Sequence, residues 1–208
     1  MAYQSKPIFP SSFSLLVFLT LIALAVNANT CAAVKPDPYG GSKTLNFIRS
    51  SCTATQYPNL CFTSLSAYAG TIQTSPRQLA HAALSVSLTT ARSTVTSISK
   101  MLKGSGASSR EAEAISDCMD NMADSVDELR KSLQEMGHLR GKNFKVCVND
   151  MQTWVSSALT DENTCMEGLP ASSTSMVASQ RSAIRGEIVK AAQLTSNALS
   201  LINGLNGV

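Results

Sequence analysis

Four stretches of the chain place apolar residues at alternating steps of three and four. From Ser75 onward the first runs Leu84, Leu88, Ala91, Val95, Ile98 and Leu102, opened by Pro76 and closed by Gly104. The second runs Ile115, Met119, Met122, Val126, Leu129, Leu133 and Met136, with Ser108 and Glu111 spaced as a capping box at its start and Gly137 as its stop. The third holds Phe144, Val148, Met151, Val155 and Ala158. The fourth holds Ile184, Ile188, Ala191, Thr195, Ala198, Ile202 and Leu205, widened by Leu194 and Leu201. Such spacing puts each set on one helix face, and four such faces joined by short connections can be buried only against one another. The pattern therefore predicts an all-α fold, an antiparallel up-down-up-down four-helix bundle over residues 75–208. No segment sustains the alternation of a β-strand.

Ahead of the bundle the pattern changes. Residues 43–74 read as a short helical hairpin: an apolar segment ends at Cys52, a Tyr57-Pro58 turn follows, and a second segment (NLCFTSLSAYA) runs to Gly70. Pro58 suits the first position of a helix, where its missing N–H costs nothing. Residues 29–42, with Pro36, Pro38 and the Gly40-Gly41 pair, read as a flexible lead-in. Residues 1–28 have the form of a secretory signal. Lys6 precedes an apolar run from Phe13 to Val26, and small residues offer cleavage after Ala25, Ala28 or the Ala32-Ala33 pair. That run is 14 residues long, whereas a membrane span needs roughly 20.

Secretion turns the six cysteines into candidates for disulfides. Cys52 and Cys61 flank one turn and form a local pair. If the second and third bundle helices turn back around Leu139, Cys118 is level with residue 160 or so, and Cys165 can fold back to it. Cys147 then lies level with residue 131, about 20 Å from Cys118 along the axis, far beyond the 7 Å or so that a bridge tolerates. The expected bridges are Cys52–Cys61 and Cys118–Cys165. Cys147 is left as a free thiol and a small buried hydrophobe, unless Cys31 survives cleavage and pairs with it.

Composition narrows the chemistry. Of 208 residues, 44% are hydrophobic and 15% charged, too apolar for a disordered chain, and a net charge of +3 is too weak for a nucleic-acid binder. Two histidines, His81 and His138, exclude a His-rich metal site; His81 reads as solvent-facing. There is no phosphate-binding glycine loop and no nucleophile elbow. No catalytic residue, metal, cofactor, nucleic-acid or membrane partner is expected, and the chain does not read as an enzyme. One surface feature stands apart. Glu113, Asp117, Asp120, Asp124 and Asp127 repeat the four-three spacing two positions away from the apolar stripe, and so line the opposite face of the second bundle helix. Carboxylates in one line repel each other, and a cationic partner would relieve them.

Several motifs occur together in order: Cys52-x8-Cys61 enclosing Thr55, Tyr57, Pro58 and Leu60, then Asp117-Cys118, then Trp154-Val155-Ser156-Ser157-Ala158-Leu159-Thr160 leading to Thr164-Cys165 and Gly168. In these the chain resembles the plant invertase/pectin methylesterase inhibitor family over essentially its whole mature length. The resemblance implies a helical hairpin on a four-helix bundle with the two bridges above, in an apoplastic protein that inhibits an enzyme by non-covalent complex formation. Invertase-directed members carry Pro-Lys-Phe entering the third bundle helix, where this chain reads Lys142-Asn143-Phe144. The Trp154–Thr160 stretch is closer to pectin methylesterase inhibitors. The resemblance thus points to pectin methylesterase as the partner, with bundle helices laid across its substrate cleft. The acidic line and Gln152, Thr153 and Ser156 are the candidate contacts. Inhibition of an acid invertase is the alternative, and a secreted carrier of a small ligand a further one, although alanines in the stripes suit close packing better than a cavity.

Overall fold

The computed structural model describes residues 38–103, 107–139, 143–169 and 178–207; the signal segment 1–28, Cys31, Gly104 and Lys142 lie outside them. Helix α1 (Pro38–Cys52) is followed by α2 (Pro58–Leu65), a 3-10 turn (Ser66–Tyr68) and the single turn α3 (Ala69–Ile72). α1 begins five positions before residue 43, so Pro38 to Ser42, read as lead-in, belong to the helix. Proline at a helix start is preset for helical φ, and α1 packs against α2 and α3, which outweighs the weak helix propensity of Gly40 and Gly41. Thr55 closes α1, donating both its N–H (3.1 Å) and its hydroxyl (2.8 Å) to the Cys52 carbonyl. Across the turn, the Cys52–Cys61 bridge joins Cα atoms 5.6 Å apart, and the Arg49 guanidinium lies 3.9 Å above the Phe62 ring. α3 ends at Gln73, whose φ of 52° is a left-handed conformation without glycine, the one strained backbone position in the hairpin.

The bundle consists of α4 (Pro76–Lys103), α5 (Ser109–Gly137), α6 (Phe144–Gly168) and α7 (Ala178–Asn203), ending in a 3-10 turn (Gly204–Gly207). Each long helix packs on its chain neighbours, and α7 closes the ring against α4. This is the up-down-up-down arrangement that the apolar stripes predict. Leu84, Ala91, Ile98, Met122, Leu129, Val148, Met151, Val155, Ile188, Ala198 and Ile202 are fully buried. Val95, Leu102, Met119, Leu133 and Phe144 are partly buried at the stripe edges. Ser108 caps α5, its N–H donating to Glu111 Oε2 at 2.9 Å, as the spacing indicates.

Two arginines close helix ends in a way the apolar pattern does not announce. Arg77 near the start of α4 donates to the carbonyls of Met136 (3.0 Å) and Leu139 (3.1 Å), at the C-terminal end of α5. Arg185 of α7 donates to the carbonyls of Met166 (3.3 Å) and Leu169 (3.4 Å), at the end of α6. A cation at a helix C-terminus both satisfies orphan carbonyls and opposes the negative end of the dipole.

The hairpin is clamped to α7 through Asn197 and Ser196. Asn197, buried, accepts from the Tyr57 N–H and donates to the Tyr57 carbonyl, both at 3.0 Å and across 140 positions. Its amide thus takes the place of a backbone partner for the turn before Pro58. Ser196 adds a 3.0 Å hydrogen bond to Gln56 Oε1.

Candidate functional site

All five carboxylates of the predicted line, Glu113, Asp117, Asp120, Asp124 and Asp127, are exposed on α5. Their periodicity keeps them on the side away from Met122 and Leu129, which are fully buried. Asp127 pairs with Arg130, and Glu128 with Lys131 at 3.1 Å. Glu113, Asp117, Asp120 and Asp124 make no ion pair among the described residues, so the line is uncompensated over its first three turns.

The structure extends this surface onto α6. Asp161 is half-buried, and its carboxyl is held above the usual aspartate range by burial and then by the charges of Asp124 and Glu128. That coupling brings an α6 carboxylate against the α5 line. The sequence carried a signal for it: Asp161 is seven residues after Trp154, hence on the same flank of α6. Gln152 lies elsewhere. Its Nε2 donates to Asn203 Oδ1 at 2.8 Å, which places it on the α7 side of α6. Thr153 and Ser156 are exposed, the Thr153 hydroxyl returning to the Asn149 carbonyl at 3.0 Å. Gln152 is therefore set apart from the acidic patch.

Beneath the acidic patch is a carboxylic acid that the sequence reading passed over. Glu162 has no solvent exposure. Its Oε1 accepts hydrogen bonds from Ser125 of α5 (2.9 Å) and Thr195 of α7 (3.0 Å), while Oε2 has no hydrogen-bond partner among the described residues. Burial pushes its pKa up to about 7; the two hydroxyls oppose the shift and the Asp161 charge adds to it. The signal was present in the spacing: Val155, Ala158 and Glu162 continue the apolar stripe of α6 with a carboxyl at a core position.

The long bridge joins Cys118 of α5 to Cys165 of α6, with Cα atoms 4.1 Å apart. Cys147 is a buried free thiol, and the proposed partner Cys31 lies outside the described residues. The Cys147 Sγ faces the His138 carbonyl at 3.9 Å, so Cys147 is level with the end of α5 rather than with residue 131. The pivot of the turn lies later than Leu139, because α5 runs to Gly137 and α6 begins only at Phe144. Hydrogen bonding to Glu135 and burial raise the thiol above the usual cysteine range. His81 is exposed on α4, and His138 lies 3.6 Å from the Glu135 carboxylate. The crevice lined by Cys61, Leu65, Ala83, Val86 and Leu194 has essentially no room even for a water molecule, far below the roughly 300 Å³ at which small-ligand pockets begin. Among the described residues no helix is long and apolar enough to cross a membrane.

Residues 46–201 match the profile of a family described as plant invertase/pectin methylesterase inhibitor. The chain is 39% identical to a 21 kDa protein of Daucus carota over 92% of its own length and 94% of that protein's. It is 36% identical to pectinesterase inhibitor 11 of Arabidopsis thaliana over 96% and 97% of the two chains. In fold it is similar to the crystal structure of a mutant form of a pectin methylesterase inhibitor from Arabidopsis, with a TM-score of 0.60 at 19% identity, covering 75% of this chain and 95% of that one. The hairpin on a bundle, the two bridges and the sequence match agree, and the chain belongs to the plant invertase/pectin methylesterase inhibitor family.

Proposed function

We propose that this chain is a secreted inhibitor of pectin methylesterase that acts in the cell wall. It binds the enzyme non-covalently, lays α5 and α6 across the substrate cleft, and so limits pectin de-esterification. Membership in a family of inhibitors already separates it from the enzymes. The target is supported by the likeness to pectinesterase inhibitors, and the observation that carries the face is the acidic patch of α5, four of whose carboxylates make no ion pair among the described residues and which Asp161 of α6 extends. Carboxylates held together against their mutual repulsion gain most from a basic partner surface, and such charge accelerates encounter more than it slows release. Glu113, Asp117, Asp120, Asp124 and Asp161 are assigned to this contact, with Thr153 and Ser156 at its margin and Gln152 on the flank toward α7.

The test is the inhibition rate of a pectin methylesterase as a function of salt, for the parent and for Asp120→Asn combined with Asp124→Asn. The double variant should associate roughly three- to tenfold more slowly at low ionic strength, converge with the parent at high salt, and keep the helicity of the parent. A parent that inhibits an acid invertase and leaves the esterase untouched would transfer the function to the other arm of the family.

A further inference from the structure

The charges of the bundle are sorted by helix. α5 carries eight carboxylates against Arg110, Arg130 and Lys131, and α6 carries Asp150, Asp161, Glu162 and Glu167 against Lys145. α4 carries Arg77, Arg92, Lys100 and Lys103 with no carboxylate at all, and α7 carries Arg181, Arg185 and Lys190 against Glu187 alone. Because α4 packs on α7 and α5 on α6, the sorting gives one basic side and one acidic side, on opposite flanks of the ring.

Not all of the basic groups are available. Arg77 and Arg185 are spent on helix ends. Arg92, Lys100 and Lys190 are exposed and make no ion pair among the described residues. Arg92, Ser93, Thr96, Ser97 and Lys100 line a shallow depression of about 360 Å³ on α4. Lys190 joins them from α7: Glu187, one turn earlier on its helix, accepts a 2.8 Å hydrogen bond from Ser97, which fixes the register of the two antiparallel helices and places Lys190 near the level of Ser93. The one carboxylate in this region is thus tied to a serine, leaving three exposed cations; the exposed Ser93 and Thr96 hydroxyls donate to the Thr89 and Arg92 carbonyls of their own helix and keep their lone pairs to accept from a ligand's hydroxyls.

We infer that the α4–α7 face is a docking surface for a linear polyuronate, the de-esterified stretch of pectin. A ligand for this face must be anionic, extended along the helices and rich in hydroxyl partners, and a chain of uronic acids has all three properties. Its choice over other polyanions rests on the function proposed above, since this polymer is what the esterase leaves behind. The acidic face is turned the other way and stays open, so an inhibitor held on the polymer through α4 and α7 retains α5 and α6 for the enzyme.

The experiment titrates the parent with unesterified and with fully methyl-esterified oligogalacturonides across a range of salt. The triple variant Arg92→Gln, Lys100→Gln, Lys190→Gln serves as the test, with Asp120→Asn, Asp124→Asn as control. The expected result is binding of the unesterified oligomer only, weakened at least about tenfold in the triple variant. The salt dependence should become shallower as the three cations are removed, and the control variant should bind no worse than the parent. Equal binding of the esterified oligomer, or undiminished binding by the triple variant, overturns the inference. So does binding to anionic phospholipid vesicles with none to the oligomer. Esterase inhibition is read in parallel: if the parent binds the oligomer but inhibits no esterase, the proposed function fails while the polyuronate surface stands. If it inhibits but does not bind, the reverse holds.

Discussion

The α5–α6 pair and the α4–α7 pair are built from helices of similar length, yet they are held by different means. α5 and α6 share the most extensive of the four interfaces, a disulfide, and large core side chains such as Met122, Leu129 and Met151. They also enclose Glu162 and carry a repulsive line of carboxylates outside. α4 and α7 have no covalent tie. Their buried positions are rich in Ala80, Ala83, Ala91, Ala191 and Ala198 and in the hydroxyl and amide groups of Ser87, Thr94, Thr195 and Asn197. They also hold the hairpin through Asn197 and lend arginines to the far ends of α5 and α6. The pair with the electrostatic load outside is the pair with the covalent staple inside, and the load is offset by structure that does not itself contact a partner.

The largest test of this contrast removes the staple. Cys118→Ala with Cys165→Ala opens a loop of 47 residues, for which chain entropy predicts a loss of roughly 4 kcal/mol. The Cys52–Cys61 bridge closes only 9, and its removal should cost about 2.5 kcal/mol by the same relation. Urea unfolding of the two double variants checks the ranking, and equal losses would mean that the staple contributes nothing special to α5–α6.

Next in size is the buried acid. Glu162 has a folded pKa of about 7 against a reference of 4.5, so the folded state binds the proton more tightly than the unfolded chain. The neutral form stabilises the fold fully below pH 4.5, and the contribution is lost as pH rises toward 7, by something on the order of 3 kcal/mol in all. Glu162→Gln retains an acceptor for Ser125 and Thr195 without the ionisation. It should match the parent near pH 4 and exceed it above pH 7, flattening the dependence of the urea midpoint on pH. A parent whose stability does not fall across that window would show that Glu162 is not the buried acid described.

A third variant breaks the other pair. Asn197→Ala strips the Tyr57 N–H and carbonyl of their partner, at a cost of about 2 kcal/mol. The loss should concentrate in the hairpin, so hydrogen exchange should quicken around Tyr57 and α2 before it does in α5 and α6. The smallest effect is on the acidic line itself: Asp120→Asn with Asp124→Asn relieves an i,i+4 repulsion and should raise thermal stability by a few tenths of a kcal/mol. A clear loss would show that these carboxylates have structural partners.

The bundle and both bridges were legible because each rests on one helix face or one turn. Apolar spacing says which face of a helix is buried, and axial height says which cysteines can meet. The acidic line was legible for the same reason, since all five carboxylates share one helix. Asp161 was less so, because its place beside Asp124 depends on how α6 is rotated against α5. The start of α1 at Pro38 was missed because Gly40 and Gly41 carry a local signal that contacts with α2 and α3 override.

By itself, then, the chain of residues determined the helices, their buried faces, the pairing of four cysteines and the sign of the charge on each helix. Tertiary structure decided what those faces and charges meet. Asn197 finds Tyr57 across 140 positions, Arg77 and Arg185 reach carbonyls on neighbouring helices, and Glu162 is buried between Ser125 and Thr195. Periodicity fixes direction around one helix axis. A hydrogen bond, a raised pKa or a face of one charge needs the rotation and height of a second helix as well, and those follow only when the core packs.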